Sequence, residues 1–260
     1  MHACMANTQA PLGAKAVHPH FHPPPRCGGG NRRGILRYGL IVLFTLVVNG
    51  CVAVRDVPID QSVILTLSGK SVITVKRTVP NFSAMTADKM AAGSLFGAIG
   101  GAAAGASMIR SGNALVRQNN IPDPAYEIAE RIARAMETKY GITYAGIGKA
   151  EIRDDDASKV AALYKTTSFV LDIRTLNWGF LYYPLYWTKY RLIYAARMRL
   201  IDTNSAGILA EGGCYTLGDK IDSAPTYEEL LENSASRLKS EIEDAVIDCA
   251  REFSTTYLGM

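Results

Sequence analysis

The stretch Ser168–Asp202, SFVLDIRTLNWGFLYYPLYWTKYRLIYAARMRLID, carries the strongest strand pattern of this 260-residue chain. Apolar residues recur at every second position in its two halves, and basic residues occupy many positions between them. Such alternation predicts two strands with one buried and one basic face. The alternating residues are Phe169, Leu171 and Ile173, then Tyr190, Leu192, Tyr194, Ala196, Met198 and Leu200, with Lys189, Arg191, Arg197 and Arg199 on the basic face. The basic face is expected to pair with helix acids or to stay solvated, with lipid headgroups or an acidic partner as the alternative.

Six of the chain's 22 aromatic residues lie in the ten residues Trp178–Trp187 between these halves. We interpret this segment as a loop that contacts the membrane interface or a protein partner, because aromatic side chains combine apolar area with polar atoms. The alternative is core packing at the end of the sheet. The candidate interface residues are Trp178, Phe180, Tyr182, Tyr183, Tyr186 and Trp187.

The sequence after this stretch predicts a turn, a return strand and a long closing helix. The turn is Asp202–Gly207 and the strand is Ile208–Thr216. Thr226 and Glu229 form a capping box for the helix. Its apolar stripe consists of Leu231, Ala235, Leu238, Ile242, Ala245, Cys249 and Phe253. A disulfide between Cys249 and Cys214 would tie the helix to the strand, and two buried free thiols are the alternative.

Upstream, Asp123 and Pro124 predict the start of a helix over Tyr126–Tyr140, which Gly141 ends. A strand is predicted at Ile142–Ile147, a solvated turn at Asp154–Asp156 and a short helix at Ala157–Tyr164.

Two Val/Ile/Thr-rich runs near the front of the chain, Ser62–Leu67 and Ser71–Val79, predict a β-hairpin around Ser68-Gly69-Lys70. Together with the later segments, they predict an α+β fold in which helices pack on one face of a mainly antiparallel sheet.

A Gly/Ala-rich segment, Met90–Ile109, contains twenty residues without a charge. Gly93, Gly97, Gly101 and Gly105 recur every four residues and would form one groove along a helix. This pattern resembles the glycine-zipper segments of outer-membrane lipoproteins and surface antigens. The resemblance implies a membrane-associated or self-packing helix, and the alternatives are a segment folded against its own domain or a flexible loop.

The front of the chain has the pattern of an export signal. Arg32, Arg33 and Arg37 precede the apolar run Leu40–Val48, which is too short to span a membrane. Val47-Val48-Asn49-Gly50-Cys51 resembles the lipobox of bacterial lipoproteins. The resemblance implies that Cys51 is acylated and anchors the protein to a membrane, and Val52 after it implies the outer membrane, facing the periplasm. An ordinary signal peptide, or a buried strand with a chance cysteine, is the alternative.

These signals predict four parts: a leader at 1–50 that is removed, a linker and hairpin at 51–89, the glycine zipper at 90–110 and an α+β periplasmic domain at 111–260. The net charge of +4 comes from the leader, which holds five basic and no acidic residues. Residues 51–260 carry 28 − 5 = 23 basic and 24 acidic residues, a net charge of −1. This balance and the export signal argue against nucleic-acid binding.

All four histidines, His2, His18, His20 and His22, lie in the leader. Without histidine the mature chain cannot build a Ser-His-Asp or Cys-His site, and it lacks the usual zinc ligand. We therefore predict no enzyme activity, no cofactor and no metal, although carboxylates and lysines can catalyse alone. The expected function is binding or scaffolding by a lipoprotein anchored to the outer membrane. The alternative is an oligomeric envelope assembly, secretion or surface-exclusion component that forms through the zipper.

The run Arg199–Asn204 followed by Gly207-Ile208-Leu209 resembles a strand-turn-strand of periplasmic lipoproteins related to the curli-secretion lipoprotein and the N-terminal domain of the Tol–Pal β-propeller protein. The resemblance covers about a dozen residues, a length that many hairpins share.

Overall fold

The computed structural model describes residues 54–95, 97–218 and 220–260. The predicted leader, the lipobox and Cys51 lie outside these residues. In chain order the described elements are α1 (Gln61–Ile64), β1 (Ser71–Arg77), β2 (Phe82–Met85), α2 (Ala87–Leu95), α3 (Gly97–Gln118), α4 (Pro124–Tyr140), β3 (Thr143–Ile152), α5 (Ala157–Leu163), β4 (Phe169–Tyr183), β5 (Tyr186–Asp202), β6 (Ile208–Leu217) and α6 (Tyr227–Glu252), followed by a π-helical turn, Phe253–Tyr257.

The strands form one mixed sheet in the order β3-β1-β4-β5-β6, and β2 pairs with the distal part of β4. The meander of β4, β5 and β6 is antiparallel, as the alternation predicted. Strand β1 runs parallel to both β3 and β4, and β2 also runs parallel to β4. The predicted α+β class is confirmed. The parallel pairs join β1 and β2, near the N-terminus, to β3 and β4.

The predicted loop Trp178–Trp187 is wrong, because β4 and β5 continue through it as one long hairpin. Only Pro184 and Leu185 lie between the two strands, and Leu185 adopts a φ of 73°. The aromatic residues that suggested a loop also have high strand propensity. The hairpin therefore extends past the end of β6, whose last residue, Leu217, pairs with Ile193.

The predicted strand Ser62–Leu67 is also wrong. Asp60 caps a short helix instead, since its carboxylate accepts a hydrogen bond from the Ser62 amide at 2.7 Å. The second half of the predicted hairpin is a strand, β1, but it pairs with distant strands rather than with its neighbour.

Helices α4 and α6 cover one face of the sheet and enclose the main core. The predicted ends of α4 are confirmed: the Asp123 carboxylate accepts from the Ala125 amide, and Gly141 ends the helix with a φ of 65°. The capping box of Thr226 and Glu229 is likewise present at the start of α6.

Helix α6 differs from the predicted continuous helix, because its backbone is non-helical from Glu232 to Ala235. The interruption shifts the register of the apolar stripe. Leu230 is fully buried before it, whereas the predicted Leu231 is only partly buried. From Ala235 onward the predicted stripe is buried.

The Gly/Ala-rich segment forms two helices, α2 and α3, rather than the single predicted helix. The helices pack antiparallel, with the Lys89 ammonium 2.8 Å from the Ser111 hydroxyl. The C-terminal half of α3 packs against β2. Within the described ranges, we find no helix with the length and apolarity needed to cross a membrane.

Candidate functional site

The tip of the β4–β5 hairpin exposes large apolar side chains. Leu185, Tyr186 and Trp187 are 87%, 56% and 58% exposed. Trp187 stacks on Tyr182, with ring centres 6.0 Å apart and planes inclined by 29°. Large apolar side chains that are exposed together usually mark a contact surface, so the tip is a candidate contact surface.

Two residues of the predicted interface lie instead in the core. Trp178 and Phe180 are buried, and both pack edge-on against Phe82 with ring centres 4.9 and 5.9 Å away. The Trp178 indole N–H donates to the carbonyl of Pro80 at 2.9 Å. For these two aromatics, core packing at the end of the sheet is the correct interpretation.

Strand β6 adds two exposed apolar residues at the same end of the sheet, Tyr215 and Leu217. They pair with Ala195 and Ile193 of β5, which are nine and seven residues from Tyr186 at the tip. Sequence reasoning missed both, although alternate positions at the end of a short strand could have indicated them. We call Leu185, Tyr186, Trp187, Tyr215 and Leu217 the distal end.

Basic side chains lie beside the distal end. The Arg191 guanidinium sits over the Tyr183 ring, 4.7 Å from its centre, in cation–π geometry. Lys189, two residues earlier in β5, is partly exposed. The distal end thus combines aromatic, aliphatic and positively charged groups.

The opposite half of the predicted basic face is not a surface. Arg197 and Arg199 are buried, as are Arg77 of β1 and Asp172 of β4. Arg77 donates to both carboxylate oxygens of Asp172 at 2.7 and 2.6 Å, and Arg199 donates to one of them at 3.1 and 2.6 Å. The predicted alternative of lipid headgroups on this face is therefore wrong for Arg197 and Arg199, because both are paired inside the protein.

The acidic run Asp154–Asp156 lies beside the buried group Arg77, Arg197, Arg199 and Asp172, which we call the arginine cluster. Asp155 accepts two hydrogen bonds from Arg197, at 2.9 and 2.5 Å, and contacts Arg174 at 2.9 Å. Asp156 caps α5 as predicted, through the Ser158 amide. The run thus holds the arginine cluster together as well as starting a helix, and it is not merely a solvated turn.

The carboxylates of this cluster are held ionised. Hydrogen bonds from Arg197 place the pKa of Asp155 well below its usual range. Burial alone would raise the pKa of Asp172, but the hydrogen bonds and charges of Arg77 and Arg199 outweigh burial and lower it. Such locked carboxylates have neither the free lone pairs nor the near-neutral pKa that acid–base catalysis needs.

A groove between β6 and α6 holds one further buried acid, Glu241. Burial raises its pKa, and its carboxylate accepts from the Leu192 amide at 3.2 Å and from Arg237 at 3.3 Å. In the part of the chain that the structure describes, no three His, Cys, Asp or Glu residues are placed to hold a metal ion.

The four predicted zipper glycines do not share one environment. A Cβ atom on Gly93 would lie 2.8 Å from the Cβ of Ala104, so Gly93 lets α2 approach α3. Gly101 and Gly105 have open space where a Cβ would stand, and for Gly97 only the backbone is described. Gly112, outside the predicted motif, makes the closest approach, because its Cβ would lie 2.2 Å from the Phe82 carbonyl oxygen.

Cys214 of β6 and Cys249 of α6 are joined in the structure by a disulfide, with Cα atoms 5.5 Å apart. Both residues are buried in the main core. The bond links β6 to α6, as the predicted Cys214–Cys249 pair would, and the alternative of two free thiols is not what the structure has.

No protein-family model and no curated protein matches this sequence. Among solved structures, the chain is similar to the hypothetical protein CT253 from Chlamydia trachomatis, with a TM-score of 0.39, 8% identity and coverage of 74% of this chain and 100% of that one. It is also similar to the PelC dodecamer from Paraburkholderia phytofirmans, with a TM-score of 0.36, 14% identity and coverage of 79% and 96%. A third similar structure is the lipoprotein GNA1162 from Neisseria meningitidis, with a TM-score of 0.25, 16% identity and coverage of 68% and 96%.

Proposed function

We propose that this protein is a non-catalytic lipoprotein of the outer membrane, anchored through Cys51, whose α+β domain binds another envelope component. The observation that carries the proposal is the distal end, where five large apolar and aromatic side chains are exposed on the hairpin and the adjoining end of β6. Exposed patches of this kind mark contact sites rather than catalytic pockets. The lipobox-like sequence supports the membrane anchor, and the absence of histidine after residue 50 supports a binding role.

Acylation of Cys51 tests the anchor. The full-length chain, expressed in a Gram-negative host with a clickable palmitate analogue, should carry label and fractionate with outer membranes. Cys51→Ala should lose the label and accumulate as a longer precursor. Cys27→Ala, a cysteine of the leader, is the matched control and should behave as the unmodified chain. Label on the Cys51→Ala protein would contradict the proposal.

The second candidate function is an oligomeric envelope component that assembles through α3. The open space beside Gly101 and Gly105 favours it, because a second helix could approach there. Leucine at Gly101 and Gly105 should then dissociate the oligomer, as measured by light scattering corrected for bound detergent. Leucine at Ala162, an exposed residue of α5, is the control for the added apolar bulk. An unchanged mass in the Gly101/Gly105 variant would rule out this assembly.

A further inference from the structure

We propose that the distal end rests on the bilayer to which Cys51 is attached, with the β4–β5 hairpin inclined along the membrane surface. The proposal rests on the proposed lipid anchor and goes further, because it names the lipid bilayer as the occupant of the exposed surface.

The path of the N-terminal segment gives the first argument. Val57 pairs antiparallel with Glu211 of β6, through two hydrogen bonds of 2.8 Å. The Val54 side chain lies 3.4 Å from the position that a Cβ on Gly213 would take. Because the two segments are antiparallel, the chain followed backwards from Val57 to Val54 runs toward the Leu217 end of β6.

That end of β6 is the end from which the hairpin extends. Leu217 pairs with Ile193, and β5 continues from Ile193 to the tip at Tyr186. Cys51 precedes Val54 by three residues, which span about 10 Å when fully extended. An acyl anchor on Cys51 therefore holds this end of the domain close to the membrane.

The tether length also limits the tilt. Val54 stands beside Gly213, which pairs with Arg197, and Arg197 is eleven residues from Tyr186, or about 36 Å along the strand. A hairpin perpendicular to the membrane would carry its tip roughly 26 Å beyond the anchor, through most of a hydrocarbon core about 30 Å thick. An inclined hairpin avoids this immersion and lets Tyr215, Leu217 and the tip reach one plane.

The chemistry of the distal end suits the headgroup region. Trp and Tyr side chains favour that layer because their rings are apolar and their N–H and O–H groups stay hydrated. Arg191 and Lys189 beside them supply the positive charge that anionic lipids attract. Leu185 offers aliphatic area for the boundary with the acyl chains.

The two tryptophans of the chain make the proposal measurable, since Trp187 is exposed and Trp178 is buried. The purified, acylated, full-length protein is reconstituted in phosphatidylethanolamine–phosphatidylglycerol vesicles that contain lipids brominated on their acyl chains. We expect bromolipids to quench the emission of the unmodified protein, and we expect Trp187→Phe to lose this quenching. Iodide should quench the unmodified protein in vesicles no more than it quenches Trp187→Phe.

A matched pair of variants separates membrane contact from the general effect of replacing an exposed leucine by aspartate. Leu185→Asp should reduce bromolipid quenching of Trp187. Leu65→Asp should leave it unchanged. Leu65 is also largely exposed, at 78% against 87% for Leu185, but its neighbours Val63 and Thr66 lie beside Phe169 and Asp202 at the opposite end of the sheet.

The remaining outcomes distinguish failure of the bilayer contact from failure of the lipid anchor. Acylated protein that floats with the vesicles without bromolipid quenching overturns the proposal and leaves the anchor standing. Protection from iodide without bromolipid quenching means that another copy of the protein covers the tip, which also overturns it. A mass spectrum without acyl chains on Cys51 contradicts the proposed function itself and removes the tether on which this orientation depends.

Discussion

Replacing Asp172 by asparagine tests the arginine cluster directly. Asp172 is completely buried, and its two oxygens accept hydrogen bonds from Arg77 and Arg199. Asparagine keeps the size of the side chain but removes the charge that balances two buried guanidinium groups. It also turns an N–H₂ group toward donors, so at least one hydrogen bond is lost.

The expected cost follows from breaking a buried ion pair by removing one partner, about 3–5 kcal/mol of unfolding free energy. With a urea m-value of about 2 kcal/mol/M, the unfolding midpoint should fall by roughly 1.5–2.5 M. Glu130→Gln is the control, because it breaks an exposed i,i+4 pair with Arg134 of the same bond length, 2.6 Å. An exposed pair is worth about 0.3–0.5 kcal/mol.

The pH dependence gives a second readout. The pKa of Asp172 is lowered in the folded protein, so its ionisation stabilises the fold above the ordinary pKa of 3.8. That stabilisation is lost as the pH falls through the lowered pKa of the folded state. The difference between the unmodified protein and Asp172→Asn should narrow in that range. A midpoint shift in Asp172→Asn no larger than in Glu130→Gln would refute the reasoning.

Three further predictions concern single contacts. Cys249→Ser should lose the bond to Cys214 and about 4 kcal/mol of unfolding free energy, from the entropy of a loop with a sequence separation of 35; thermal unfolding and thiol labelling of the unmodified chain check this. Gly112→Ala should destabilise the fold, because its Cβ would stand 2.2 Å from backbone, whereas Gly101→Ala should stabilise α3 by up to about 1 kcal/mol; urea midpoints of opposite shift would show it. Glu241→Gln should change the unfolding free energy more favourably at pH 7 than at pH 4. Burial raises the pKa of Glu241, so the protonated acid stabilises the unmodified fold at low pH, and this stabilisation is lost as the pH rises through the raised pKa. Equal effects of the substitution at both pH values would contradict this.

The sequence predicted the elements whose signals are local. Asp123 and Gly141 mark the ends of α4 through hydrogen bonds and a backbone angle within a few residues, and Thr226 with Glu229 does the same for α6. The alternation around Tyr194 likewise reported one face of a strand correctly. Each of these features depends on neighbours along the chain.

The predictions were wrong where the structure depends on residues far away along the chain. Arg199 was predicted to pair with helix acids or to stay solvated. It is buried instead, because it donates to Asp172, 27 residues away in β4, and to the carbonyl of Asp155. The Val/Ile/Thr content of Ser62–Leu67 predicted a strand, but the cap at Asp60 stabilised a helical turn instead. The candidate site was predicted in part: Tyr186 and Trp187 are exposed, whereas Trp178 lies in the core because Phe82 and Pro80 pack there.

The arginine cluster has a further consequence for how the chain selects its fold. Asp172 and Arg199 stand directly opposite each other on β4 and β5, and Arg77 reaches them from β1. Side chains alternate between the faces of a strand, so sliding β4 by one residue would move Asp172 into the apolar layer beneath α4 and α6. A misaligned sheet would thus bury one unpaired carboxylate and leave Arg77 and Arg199 without their partner on the other face. The cluster therefore favours the correct register. A misaligned pairing of β1, β4 and β5 costs more free energy than the loss of apolar contacts alone would cost.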